Sequence, residues 1–181
     1  MQTHDLAFHP DFPPLAVCGV RAAIDTSHPH WLALRWRIDG ASSIIVPPFA
    51  GRARRDELWR TTCFELFARA PGAADYLEYN FSPSQAWAAY GFNGYRAGMV
   101  QREIRHVPVA DWRGGASGLA LFDARIARSD LPPPPWEYQM TAVIEEVGGR
   151  KSYWAVTHPQ GPPNFHDPTC FAATLAAPEV S

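Results

Sequence analysis

Cysteine is scarce in this 181-residue chain: Cys18, Cys63 and Cys170 are the only three, an odd number that closes no complete disulfide framework. Each lies in an apolar stretch, so three reduced, largely buried thiols are expected, with a cytoplasmic address as the default. An excess of one charge is missing as well. Lys+Arg 16 against Asp+Glu 18 leaves a formal charge of −2, without the basic field that nucleic acid or an anionic membrane would call for. Lysine is nearly absent, Lys151 standing alone among arginines, and this carries no functional weight. No apolar run approaches the roughly 18 residues of a membrane span. The opening MQTHDLAFHP lacks the basic start and apolar centre of a signal peptide. Helical spacing is also rare, Arg54 to Arg60 being the clearest candidate for a turn or two.

What the chain does have is aromatic and turn-forming residues: Phe 10, Trp 7 and Tyr 6, with Pro 18 and Gly 13. That is much to bury and many places to break, in a length that suits one domain, 1–181, with a core of its own. Apolar residues recur mostly at every second position. In Leu32, Leu34, Trp36 and Ile38 they alternate with Ala33, Arg35, Arg37 and Asp39, the pattern of a strand with one buried face. Similar runs near 16–24, 62–69, 75–81, 86–92, 118–127, 137–147, 152–157 and 169–175 bring the expectation to about ten strands. Breakers such as Pro71-Gly72 and Gly148-Gly149 separate them, and neither an internal repeat nor a convincing linker emerges, the four prolines Pro132 to Pro135 being too short a tract. The reading is all-β: an antiparallel β-sandwich, jelly-roll-like or immunoglobulin-like.

The most informative block runs from Leu58 to Arg96. Pairing 62–69 with 75–81 through Pro71-Gly72 puts Phe64, Leu66 and Ala68 on one face with Leu77, Tyr79 and Phe81, the core side. With a side-chain period of two, the other face collects Cys63, Glu65, Phe67 and Arg69 with Tyr76, Glu78 and Asn80. That row is either a solvated surface carrying an Arg69–Glu78 pair or a ligand face. Trp59 stands just before it among Arg52, Arg54, Arg55 and Asp56, an awkward setting for a core indole and a suitable one for an indole projecting from a loop. An exposed indole stacks on the apolar face of a pyranose while Glu, Asn and Arg bind its hydroxyls.

LWRTTCFELF, YLEYNFSPSQAWAAYGFNGYR, SYWAVTHP and FHDPTCFAATL, in that order over about residues 31–175, resemble the DOMON-like domains related to the family 9 carbohydrate-binding modules. The resemblance implies a sugar- or heme-binding sandwich without catalysis. It gives Trp59 the role of stacking platform and Glu65 that of a hydroxyl-binding strand carboxylate. Where a late tryptophan would complete a clamp this chain has Phe165 and His166. Thr61-Thr62 stand where relatives carry aspartates, so calcium binding is not carried over.

The expected binding residues are therefore Trp59, Arg60, Glu65, Tyr76, Glu78, Asn80, Phe165 and His166, around a small carbohydrate-like ligand, with no cofactor. Three alternatives stay open. A heme would draw axial ligands from Met99, Met140, His158 and His166; the same histidines lack the spacing of a zinc site. A glycoside hydrolase could use Glu65 and Glu78, since neighbouring strands allow the separation of roughly 5–9.5 Å that its two carboxyls need. A structural or protein-interaction module would use exposed edges and aromatics.

Overall fold

A computed structural model describes residues 1–114 and 118–177 of the chain. Its strands are β1 (Gln2–Phe8), β2 (Gly19–Asp25), β3 (Trp31–Asp39), β4 (Cys63–Arg69), β5 (Tyr76–Phe81), β6 (Trp87–Phe92), β7 (Val100–Gln101), β8 (Val109–Gly114), β9 (Leu119–Ala127), β10 (Trp136–Glu146), β11 (Arg150–Ala155) and β12 (Ala173–Leu175). They hydrogen-bond in the order β7-β6-β5-β4-β10-β11-β1-β2-β3-β9-β8, with β12 beside β10. All of these pairings are antiparallel.

The sheet curls over itself at β1. Gln2 to Leu6 pair with β2 while Ala7 and Phe8 pair with β11, so one strand serves two layers. The layers meet through large side chains. Phe64 of β4 stacks on Phe122 of β9 with ring centroids 4.3 Å apart, and Trp36 of β3 leans on Phe64 at 5.3 Å. Leu34, Trp36, Phe64, Leu66, Leu77 and Phe81 all point into this core, as their alternation requires. The expected β-sandwich is the fold observed.

The hairpin register is also as expected: Phe64 pairs with Phe81, Leu66 with Tyr79 and Ala68 with Leu77. The row opposite is not solvated. Cys63, Glu65, Phe67, Tyr76, Glu78 and Asn80 are buried a second time, under loops. Arg69 does not reach Glu78 and instead pairs with Glu137 of β10 at 2.8 Å, because β10 rather than solvent flanks β4 on that side. Met140, an axial-ligand candidate, sits in the interlayer core with no path to a ligand. The expected helix shrinks to a 3₁₀ turn at Leu58–Arg60.

The run near 16–24 becomes a strand only at Gly19. Before it, the backbone N–H groups of Leu15, Ala16 and Val17 donate to the buried Glu146 carboxylate at 2.7, 2.7 and 3.3 Å, and the Ser43 hydroxyl adds a fourth bond at 2.7 Å. Val17 and Val20 turn inward, which leaves Cys18 facing out. The expectation of three buried thiols therefore fails at Cys18: all three are free, but only Cys63 and Cys170 are buried. Burial, with the nearby Glu65 charge, pushes the Cys63 thiol far above its ordinary range, and burial pushes Cys170 up to about 11. A thiol reagent at pH 8 should accordingly modify Cys18 in the native protein and the other two only after denaturation, as peptide mass mapping would read.

For Glu146, burial works to raise the carboxyl pKa, but the three amides and Ser43 outweigh it and hold the group below its ordinary 4.5. Its contribution to stability is complete above that value and is lost as pH falls through the depressed native one. Glu146→Ala should cost on the order of 2–4 kcal/mol in urea unfolding at pH 7, since it orphans buried amides, and the deficit should shrink on acidification.

Candidate functional site

The second face of β4, β5, β6, β10 and β11 forms the bottom of a cavity of about 660 Å³, a size usual for small-molecule sites. Three segments cover it. The first is tied to β6 by bonds of the Trp87 backbone to Ala53 and Arg55, and it carries the turn at Leu58–Arg60. The second is the tight turn after β6, closed by Asn93 N–H to Ala97 O and Ala97 N–H to Gly94 O at 3.0 Å each. The third follows β11 and is held down where Gln139 of β10 donates to the Phe165 carbonyl. His9 and His158 bind the Gly161 and Ala7 carbonyls at 2.8 and 2.9 Å, fixing the same segment against β1.

Glu65, Phe67, Glu78 and Val143 make the base of the cavity, Tyr90, Phe92, Tyr153, Phe165 and His166 its sides, and Phe12, Asp56, Glu57, Trp59, Arg96, Met99 and Pro163 its mouth. Trp59 is 48% exposed, far more than a core indole. The Arg60 guanidinium lies 5.6 Å from its ring and is paired with Glu57 at 2.7 Å. The other large cavity, about 590 Å³ beside Pro132, Pro133 and Pro134, has Arg128 as the one charged side chain among its described lining. Gln2 and Thr26 are the other polar side chains of that lining.

Glu65 and Glu78 lie on a cross-strand diagonal, Glu65 opposite Asn80 and Glu78 opposite Phe67. They are 3% and 5% exposed. Thr141 Oγ1 donates to Glu65 Oε2 at 2.9 Å, and Asn80 Nδ2 to Glu78 Oε1 at 2.7 Å. Among the described residues nothing donates a hydrogen bond to Glu65 Oε1 or Glu78 Oε2, and the buried Asn80 Oδ1 likewise accepts none. Desolvation pushes both carboxyls above the ordinary carboxylate range, Glu65 additionally through the charge of Glu78.

His166 faces Glu78, its Nε2 3.9 Å from Oε2, too far for a hydrogen bond. Burial, then the charge of Arg96, lowers its imidazole to about 4, so it is neutral at pH 7. Tyr76 accepts the Arg96 N–H at 3.2 Å and lies 2.8 Å from His166 Nδ1. The consistent assignment has Tyr76 donating its own proton to Nδ1, which leaves the Nε2 proton aimed into the cavity. Near the mouth, Tyr90 donates to Asp56 at 2.6 Å and Arg54 pairs with Asp56 at 3.0 Å. These bonds, the tyrosine's first, lower the Asp56 carboxyl.

Of the residues expected to bind, Trp59, Glu65, Glu78, Phe165 and His166 converge on the cavity. Tyr76 and Asn80 lie one layer back and orient His166 and Glu78, while Arg60 rests against Trp59 outside the lining. Tyr90, Phe92, Tyr153, Phe12 and Arg96 were not anticipated. Extending the hairpin parity into β6, where Tyr90 pairs with Glu78 and Phe92 with Tyr76, would have found two of them. Phe12 and Tyr153 depend on distant chain contacts. Met99 and His166 share the cavity, whereas His158 spends Nε2 on a backbone carbonyl. Among the described residues no three His, Cys, Asp or Glu gather as a metal site.

The fold is similar to that of two solved proteins. A proposed carbohydrate-binding protein from Bacteroides uniformis superposes with a TM-score of 0.61 over 93% of this chain and 82% of its own, at 14% identity. A family 9 carbohydrate-binding module from Caldicellulosiruptor kristjanssonii, solved in complex with glucose, gives 0.54 over 86% and 76%, at 10% identity. At these identities the likeness is one of fold. No protein-family model matches the chain, nor does any curated protein.

Because the buried carboxyls titrate above their unfolded values, the stability that goes with their protonated forms is complete below the unfolded pKa and is lost as pH rises through the native ones. Replacing both, Glu65→Gln with Glu78→Gln, should raise stability at pH 8 by on the order of 1–3 kcal/mol and change little at pH 4, as thermal unfolding at the two pH values would measure.

Proposed function

We propose that the protein is a non-catalytic binding domain, a DOMON-like relative of the family 9 modules, that holds a small carbohydrate or carbohydrate-like ligand in the 660 Å³ cavity. The observation that carries this reading is the combination of aromatic sides with a base of buried carboxyls, each with one oxygen that has no hydrogen-bond partner among the described residues. A sugar ring has apolar faces and hydroxylated edges, and this cavity offers surfaces for both. Trp59, half exposed at the mouth, takes a ring face. Glu65 and Glu78 accept hydroxyl protons, Asn80 orients Glu78 from one layer back, and the His166 Nε2 proton is a donor. Phe165 closes the far side, Tyr76 holds His166, and Arg60 steadies Trp59. The fold shared with a glucose-bound module supports the assignment.

Hydrolysis would need one carboxyl kept ionised beside one kept protonated. Burial raises both here, and the aryl glycoside assay below separates hydrolysis from binding. A heme reading has one geometric argument, the presence of Met99 and His166 at the same cavity. It predicts a Soret band in freshly purified protein, and the sugar reading predicts none.

Calorimetry with a panel of mono- and disaccharides tests the proposal. At least one should bind, and Trp59→Ala should weaken it about 5- to 150-fold, the equivalent of roughly 1–3 kcal/mol, with an unchanged circular dichroism spectrum. Silence across the panel, unchanged affinity in the variant, or turnover of aryl glycosides would each sink it.

A further inference from the structure

We infer that this cavity selects a ligand bearing a positively charged amino group, an amino sugar, over its neutral counterpart; the assignment to a sugar rests on the function proposed above, the assignment of charge does not.

The argument is a charge census of the lining. Four carboxylates line the cavity, Asp56, Glu57, Glu65 and Glu78, against one guanidinium, Arg96. The two near the mouth are already matched within the protein, Asp56 by Arg54 at 3.0 Å and Glu57 by Arg60 at 2.7 Å. The two at the base are not. Among the described residues no Lys or Arg nitrogen comes within 4.0 Å of Glu65 or Glu78, and His166, whose Nε2 lies 3.9 Å from Glu78 Oε2, is neutral. Arg96 directs its guanidinium to Asn164 Oδ1, at 3.0 and 3.3 Å.

Both carboxyls line the cavity, are more than nine-tenths buried, and each has one oxygen with no hydrogen bond among the described residues. Buried carboxyls are ordinarily paired with a cation or relieved of their charge. Here desolvation raises both titrations, and the more distant charge of Arg96 offsets only part of that at Glu78. An ammonium seated between the diagonal positions would supply a paired cation and let both groups ionise. The aromatic sides, Tyr90 and Phe92 among them, add to the preference, since ring faces attract cations in a desolvated site. A neutral sugar makes only hydrogen bonds there, and an acidic one meets repulsion.

The test is calorimetry at pH 6.5 with D-glucosamine, N-acetyl-D-glucosamine, D-glucose, D-glucuronate and the sugar-free amine cyclohexylamine. D-glucosamine should bind at least about tenfold more tightly than D-glucose and N-acetyl-D-glucosamine, with D-glucuronate weakest. In Glu65→Gln/Glu78→Gln protein the advantage should fall below about threefold. If that variant does not fold, glucosamine against its uncharged N-acetyl form in the parent still decides the question. Equal or tighter binding of D-glucose or D-glucuronate overturns the inference and leaves the carbohydrate reading intact. Binding of cyclohexylamine with no sugar bound at all removes the carbohydrate reading and keeps the cation site. Failure of all five overturns both.

Discussion

The stacking of Phe64 on Phe122 at 4.3 Å joins the two layers, and the candidate site depends on it as much as the core does. Successive side chains of a strand point to opposite faces, so anchoring Phe64 in the interlayer core commits Cys63, Glu65 and Phe67 to the other side. A slip of one residue in β4 would move the phenylalanine out and the glutamate in, an exchange of an apolar ring for a charge in the fully buried interlayer core. The same commitment passes across the ladder. Glu65 against Asn80, Phe67 against Glu78 and Glu78 against Tyr90 are set by backbone pairing before any ligand contact is considered. A rigid strand base of this kind keeps polar groups convergent without further reorganisation, the condition under which a few hydrogen bonds yield useful affinity.

Two glutamates of β4 and β5 are spent differently from the glutamate that ends β10. Glu146 is buried with four donors around it, and its charge is stabilised at the place where the segment before β2 must be pinned. Among the described residues, Glu65 and Glu78 are buried with one donor each and no Lys or Arg nitrogen within ion-pair distance. The first arrangement contributes to stability, whereas the second costs stability wherever the groups ionise. Proteins tolerate such a cost mainly at functional sites. The contrast between two kinds of buried carboxylate in one molecule is therefore a stronger pointer to a site than either burial or acidity taken separately.

The fold persists across neighbours at 10% and 14% identity because a sandwich core asks only for apolar residues of suitable volume at alternate positions. Recognition asks for more specific things, a given side chain at a given depth with a given partner. The loops that hold Trp59, Phe165 and His166 over the sheet are where such chemistry can vary without disturbing the layers beneath.

Alternation alone was enough to assign the sandwich, the β4–β5 register and the shared face of Glu65, Glu78 and Asn80, because a period of two is a local property that survives without knowledge of neighbours. Short or weakly alternating pieces were not legible: β1, β7 and β8 owe their strand conformation to the partners they meet. The exposure of Cys18 also escaped, since it depends on a segment captured by Glu146 well over a hundred residues further along. For the site, the sequence supplied the polar row and the loop tryptophan but could not say whether that row faced water. Only the tertiary structure decided that, by laying Phe12, Tyr153, Phe165 and His166 over it from distant parts of the chain. Burial of the carboxyls, and with it their raised titration, follows from that closure, and loop closure is a long-range event that no local pattern of residues encodes.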